Sequence, residues 1–270
     1  MLNKLIFYFL FDLRNRYNNR FLALLNAISI TVNLVIYWFT SKAFAPSMGQ
    51  YLDSRGMDYF TFLLIGELGL LIPLGLQDGL SSYVKFLGSE GVLENMMVYP
   101  GDLKNKVLKM YMGNVFVALF QMFVTIILSY LYFGWSLSPK QLLFFIGWII
   151  FITPMFYQIS IIALAYTLYF GKAGITFALS TFASVIAGSY FPITVLPEWL
   201  QKVSIYLSPL TPTLQGLRHL LFDGVDSEVF LRSLKFIMIW TIILTPIAHY
   251  FYKWSMKKFR EKGCPLIPTV

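Results

Sequence analysis

Long apolar stretches divided by short polar connections set the pattern of this chain. A bilayer core about 30 Å thick needs roughly 20 apolar residues at a rise of about 1.5 Å each. Six stretches reach that length, at residues 21–40, 59–80, 107–133, 141–170, 174–195 and 231–252. Each predicts a spanning helix. Pro73, Pro154 and Pro246 fall inside these stretches, where a ring that removes a backbone donor kinks or interrupts a helix. Ahead of the first stretch, Leu2, Leu5, Ile6, Phe9 and Leu13 recur at helical spacing and Arg14, Arg16 and Arg20 follow. Residues 1–20 therefore read as an amphipathic helix lying in the headgroup plane, or more plainly as a lead-in to the first span. With no small-residue cleavage site after the apolar run, a secretory signal is not expected there.

Composition sharpens this picture. Hydrophobic residues make up 57% and charged residues 13%, against about 25% charge in average globular chains. That balance excludes disorder, collagen-like repeats and an ordinary soluble enzyme, and no composition shift marks off a second domain. Residues 1–270 read as one all-α membrane domain. The net charge of +8 would suggest a nucleic-acid partner in a soluble chain, but in a lipid-embedded one it reports orientation. Fourteen Lys and Arg fall in residues 1–20, the connection after the second span (Lys85, Lys104, Lys106 and Lys109), the turn at Lys172 and the tail at 253–270; seven, Arg218 among them, fall on the other side. Both termini are thus expected in the cytoplasm, with the chain multi-pass in the cell inner (plasma) membrane and no nucleic-acid partner.

Two connections stand out. Between the second and third spans, Val92, Leu93, Met96 and Met97 share a face of a short helix, Ser89 and Glu90 suit its start, and Pro100 ends it. Such a helix can dock in a partner's groove or pack on its own membrane domain. The exterior connection, residues 196–230, holds Pro197-Glu198-Trp199 and Ser208-Pro209-Leu210-Thr211-Pro212, preceded by Tyr190-Phe191-Pro192. Its apolar middle predicts a segment that dips back into the outer leaflet, where irregular backbone is tolerated only when buried in protein or lining a wet cavity. A surface loop anchored by Trp199 and Tyr206 is the plain alternative.

Polar side chains inside spans are costly and face protein or water. Asn26, Ser29, Asn33 and Tyr37 form a stripe on the first span, Gln121, Thr125 and Ser129 another on the third, and Thr176, Ser180, Ser184 and Gly188 a small-residue stripe on the fifth. Asn26, Asn33, Gln121, Thr125, Ser180 and Ser184 are candidates to line a substrate path, although small stripes also serve close helix packing. Glu67, mid-span between Gly66 and Gly69 with no basic neighbour in its helix, should be paired, protonated or wet. It either bonds a neighbouring span or lines the path.

No catalytic cluster appears. Cys264 is the only cysteine, and His219 and His249 fall on opposite sides, so no metal site is expected. There is no G-x-x-x-x-G-K-[ST] phosphate loop, since Gly171-Lys172-Ala173 lacks the following hydroxyl.

Gly91-Val92-Leu93-Glu94-Asn95-Met96-Met97-Val98-Tyr99-Pro100 resembles the G-[TV]-L-E-x-[LM]-[LM]-x-x-P pattern after the second span of ATP-binding-cassette type-2 permeases. The proline-rich exterior run resembles the re-entrant segment of the same family. The resemblance implies that residues 86–99 are a coupling helix, with Glu90, Gly91, Leu93, Glu94, Met97 and Pro100 meeting a separate cytoplasmic ATPase subunit. It implies an exterior gate at Pro192, Pro197, Trp199, Pro209 and Pro212, and pairing with a second copy or a related permease. The chain itself would be no enzyme and hold no cofactor, ATP and Mg residing on the partner. The expected activity is export of an amphipathic cargo such as a lipid, a lipid-linked glycan or a hydrophobic drug. An ion-coupled secondary transporter or channel using Glu67 is the alternative.

Overall fold

The computed structural model describes residues 20–52, 57–98, 103–171 and 174–262. Among the described residues the chain is all-helical: α1 (Arg20–Met48), α2 (Tyr59–Ser89), α3 (Val92–Val98), α4 (Leu103–Phe133), α5 (Pro139–Phe170), α6 (Gly174–Ile186), a 3₁₀ turn at Ile193–Val195, α7 (Glu198–Leu207), α8 (Leu210–Phe222) and α9 (Glu228–Lys262). Local chemistry sets several ends. The Asp58 side chain accepts from the Thr61 amide at the start of α2. At α5, Ser138 and Gln141 cap each other's backbone ahead of Pro139, and Gly171 closes the helix at φ 68°.

Among the described residues, four helices are long and apolar enough to cross a membrane: Ala27–Met48, Tyr59–Ser89, Pro139–Phe170 and Glu228–Glu261. The apolar part of α4, Ala118–Phe133, is shorter, and α6 has 13 residues. The predicted fifth span, 174–195, is cut at Ile186, because Gly188 turns the backbone at φ 82° and the Ser189 hydroxyl donates to the Ser184 carbonyl. The second span runs on to Ser89 rather than ending at 80, since Leu80, Val84 and Leu87 stay buried and keep it packed. That extension splits the helix expected over 86–99. Residues 86–89 complete α2, Gly91 turns at φ 67°, and α3 covers Val92–Val98. The expected interface helix at 1–20 lies outside the described residues except Arg20, as do 99–102 and the tail beyond Lys262.

Helix α2 occupies the centre, touching α1, α3, α4, α5, α6 and α8, and most of its apolar residues are buried. Leu64, Ile65 and Leu68 of α2 share one core with Phe156 and Leu164 of α5 and Leu214 and Leu217 of α8. The buried Ser160 hydroxyl of α5 lies 2.6 Å from the Leu76 carbonyl of α2 and 2.7 Å from that of Phe156, so its hydrogen is shared across the helix pair. By contrast, α1 and α9 turn Phe39, Ile242 and Tyr250 outward, each more than 60% exposed. Apolar faces this long need lipid or a partner against them.

Candidate functional site

The polar stripes of α1 and α4 meet Glu67 of α2. A cavity of about 170 Å³ lies between the three helices, lined by Ser29, Ile30, Asn33, Leu34, Tyr37, Glu67, Leu71, Gln121 and Thr125. Helical spacing explains the convergence: Ser29, Asn33 and Tyr37 recur every four residues on one face of α1, and Gln121 and Thr125 do the same on α4. The Tyr37 hydroxyl donates to Glu67 Oε2 at 2.8 Å. Thr125 Oγ1 donates back to the Gln121 carbonyl at 2.9 Å, and Ser129 Oγ to the Thr125 carbonyl at 2.7 Å. Among the described residues, Tyr37 is the hydrogen-bond partner of the Glu67 carboxylate, and the Asn33 and Gln121 amides have none. The Tyr190 phenol comes near the Tyr37 and Glu67 pair.

Four predicted path residues, Asn33, Glu67, Gln121 and Thr125, are thereby brought together. Ser180 and Ser184 do not line this cavity. They are buried on α6, where the Ser184 hydroxyl donates to the Thr181 carbonyl, and α6 packs against α2. Asn26 falls on α1, with its side chain outside the described ones. On the other side of the α2 and α4 seam, Ile72, Leu76, Met122, Ile149 and Pro154 are among the residues lining an apolar cavity of about 610 Å³. Neighbouring α4 positions, Gln121 and Met122, thus serve opposite cavities.

The segment expected on the exterior side is built around a residue that the charge count used only to set orientation. Arg218 of α8 is 8% exposed, and its guanidinium lies over the Phe62 ring, 3.5 Å from the centroid. Nη1 donates to the Gly188 carbonyl at 2.7 Å, and Nη2 to the carbonyls of Phe62 and Ser189 at 3.0 and 3.3 Å. One cation therefore ties α8 to α2 and to the turn after α6. Gly66 makes the approach possible, since a Cβ there would stand 2.5 Å from the Ser189 oxygen and 2.8 Å from Arg218 Nη2. The sequence held a signal: Leu210, Leu214, Leu217 and Leu221 form an apolar helical face that includes position 218.

The predicted gate residues take several roles. Pro192 and Pro212 are buried, Pro197 and Pro209 precede the first turns of α7 and α8, and Trp199 is 66% exposed. Pro192 and Arg218 help line a smaller cavity of about 110 Å³. His219, next to the clamp, pairs with Asp223 at 2.8 Å. Among the described residues no group of three or more His, Cys, Asp or Glu could hold a metal.

At the opposite connection, Glu90 is exposed and Gly91 makes the turn, but Leu93 is fully buried. Leu93 anchors α3 against α2 and is not a surface contact, whereas Val92 and Asn95 are exposed. The side chains of Glu94 and Met97 and the whole of Pro100 lie outside what is described. Lys106 Nζ donates to the Met96 carbonyl, and the Tyr252 hydroxyl of α9 accepts from the Lys104 amide, one of the amides left unpaired at the start of α4.

No protein-family model matches this chain, and no curated protein matches it.

Proposed function

We propose that this chain is the membrane-embedded permease subunit of an ATP-driven exporter of the cassette type-2 kind. In this reading both termini face the cytoplasm, α4 and α6 complete six crossings, and a second copy or related permease pairs with the chain. A separate cytoplasmic subunit binds ATP and Mg and presses on α3. The observation that supports this most directly is mechanical. Helix α3 is joined to the end of α2 by a two-residue turn and pinned to it through Leu93, while Val92 and Asn95 stay exposed. Force on that exposed side passes into one 31-residue helix that carries Glu67 at the polar cavity. ATP can shift such an equilibrium only through different contacts with the two states, and a docked helix supplies a place for them.

The paired cavities support an amphipathic cargo. A polar pocket and a larger apolar one flank the same seam, and the apolar cavity lies within the ~300–1,000 Å³ range of small-molecule sites.

The test is Val92→Asp in the full chain, reconstituted with whatever ATPase subunit co-purifies. Expression and thermal stability should match the parent, while coupling of ATP hydrolysis to cargo release falls about tenfold or more, an effect of about 1.4 kcal/mol at the docking contact. Uphill transport by the chain alone, with no ATPase present, would overturn the reading. So would labelling that placed α3 outside the cell.

A further inference from the structure

The Glu67 cavity has a chemistry of its own, independent of what drives the chain. One carboxylate faces it, with no Lys, Arg or His among its lining residues. Tyr37 occupies Oε2 as a donor, so the remaining acceptor capacity of Glu67 is directed elsewhere. Asn33 and Gln121, whose side-chain amides have no protein partner among the described residues, line the same space together with Ser29 and Thr125, and an amide can turn its oxygen to a cation there. Thr125 has already spent its hydrogen on the Gln121 carbonyl, so what it offers the cavity is lone pairs.

A carboxylate within a span is stable only when paired, protonated or wet. A bound proton would need a single acceptor, and this cavity supplies several oxygens beyond that. An anion would meet the carboxylate's charge. Divalent ions are held by denser sets of oxygen ligands, commonly several of them carboxylates, and here there is one. The volume of about 170 Å³ equals roughly five or six waters at about 30 Å³ each, which suits a small ion with its remaining water but not a bulky head.

We propose that this cavity binds one compact monovalent cation, either an organic ammonium group or an alkali ion, held by Glu67 together with the side-chain oxygens of Asn33 and Gln121. Tyr37 acts as a positioning residue. It fixes the carboxylate so that its open oxygen faces the cavity.

The experiment uses the purified full chain in detergent. Its Tm is followed as sodium chloride or methylammonium chloride replaces N-methylglucamine chloride at constant ionic strength. A ligand that binds only the folded state raises Tm saturably. The expected result is a saturable rise with at least one probe. Glu67→Gln, which keeps the shape and can still accept from Tyr37, should raise the half-saturating concentration about tenfold or more, as loss of a charge-assisted contact predicts. Asn33→Ala, on the open side of the cavity, gives a second test should Glu67→Gln fold poorly, and should weaken the response in the same direction. A response to methylammonium alone assigns the site to organic amines, and one to sodium alone assigns it to alkali ions. No saturable rise with either probe overturns the proposal, as does an unchanged response in both variants.

Discussion

Two ionisable side chains sit against neighbouring positions of α2 and are treated in opposite ways. Arg218 touches Gly66 and directs its terminal nitrogens at three backbone carbonyls, with Phe62 stacked beneath it. Glu67, one residue further on, takes a single hydroxyl and turns the rest of its carboxylate toward a cavity. A buried cation whose two terminal nitrogens are engaged by three carbonyls, with only Nε left without a partner, holds elements in one arrangement. A charge left partly open is held for something that comes and goes. The contrast separates the part of the molecule built for shape from the part available for binding.

The sharpest way to break that contrast is to remove the cation. Arg218→Leu deprives the Phe62, Gly188 and Ser189 carbonyls of their donor where water has little access. With hydrogen bonds to charged groups contributing about 1.5–3 kcal/mol each and not adding fully, a loss of about 3 kcal/mol or more is expected. The measurement is the fraction of chain that stays monodisperse in detergent after stepped heating. If Arg218→Leu were as stable as the parent, the clamp would not be what joins α8 to α2.

A smaller effect is expected from crowding the same joint. Gly66→Ala places a methyl 2.5 Å from the Ser189 oxygen, a backbone atom that cannot swing aside. Overpacking of this kind costs typically about 1–3 kcal/mol. Gly147→Ala is the control, because a Cβ there meets nothing within 4 Å. The two substitutions should differ in Tm by several degrees, and equal values would remove the case for a tight α2 contact with the turn after α6.

Much of this was legible in the sequence, for reasons that show where reading stops. Run length alone placed the four membrane-length helices, and four-residue spacing put Ser29, Asn33 and Tyr37 on one face of α1 and Gln121 and Thr125 on one face of α4, because a straight helix fixes which side chains share a face. Spacing does not say which neighbouring helix a face meets. The serine stripe at Ser180 and Ser184 therefore looked equivalent to the Asn33 stripe, yet it packs on α6 away from the cavity. The end of α6 was misread because Gly188 and Ser189 stop the helix within a run that stays apolar. Counting charges for orientation treats every cation in a connection alike, so it says nothing of Arg218's burial, and only its place on the leucine face of α8 sets it apart. Leu93 belongs to an apolar face that spacing allows either to dock a partner or to pack on the membrane domain; it packs against α2, and Val92 and Asn95 are the outward positions.

The smallest stability effect should come from Glu67, and that is the most discriminating outcome. A double variant, Tyr37→Phe with Glu67→Leu, removes both halves of the pair at once, so neither is left facing a missing partner, and the Tyr190 phenol beside them is 42% exposed. Replacing a buried polar pair by apolar groups of similar size is often neutral or stabilising. Stability within about 1 kcal/mol of the parent, or above it, is therefore expected, measured by the same heating assay used for Arg218→Leu. Binding and transport should nonetheless be lost, because the cavity would keep only the neutral oxygens of Asn33, Gln121, Ser29 and Thr125. A large loss of stability in this double variant would mean that Glu67 is a structural partner like Arg218, and the division between a clamp on one side of α2 and a binding cavity on the other would no longer stand.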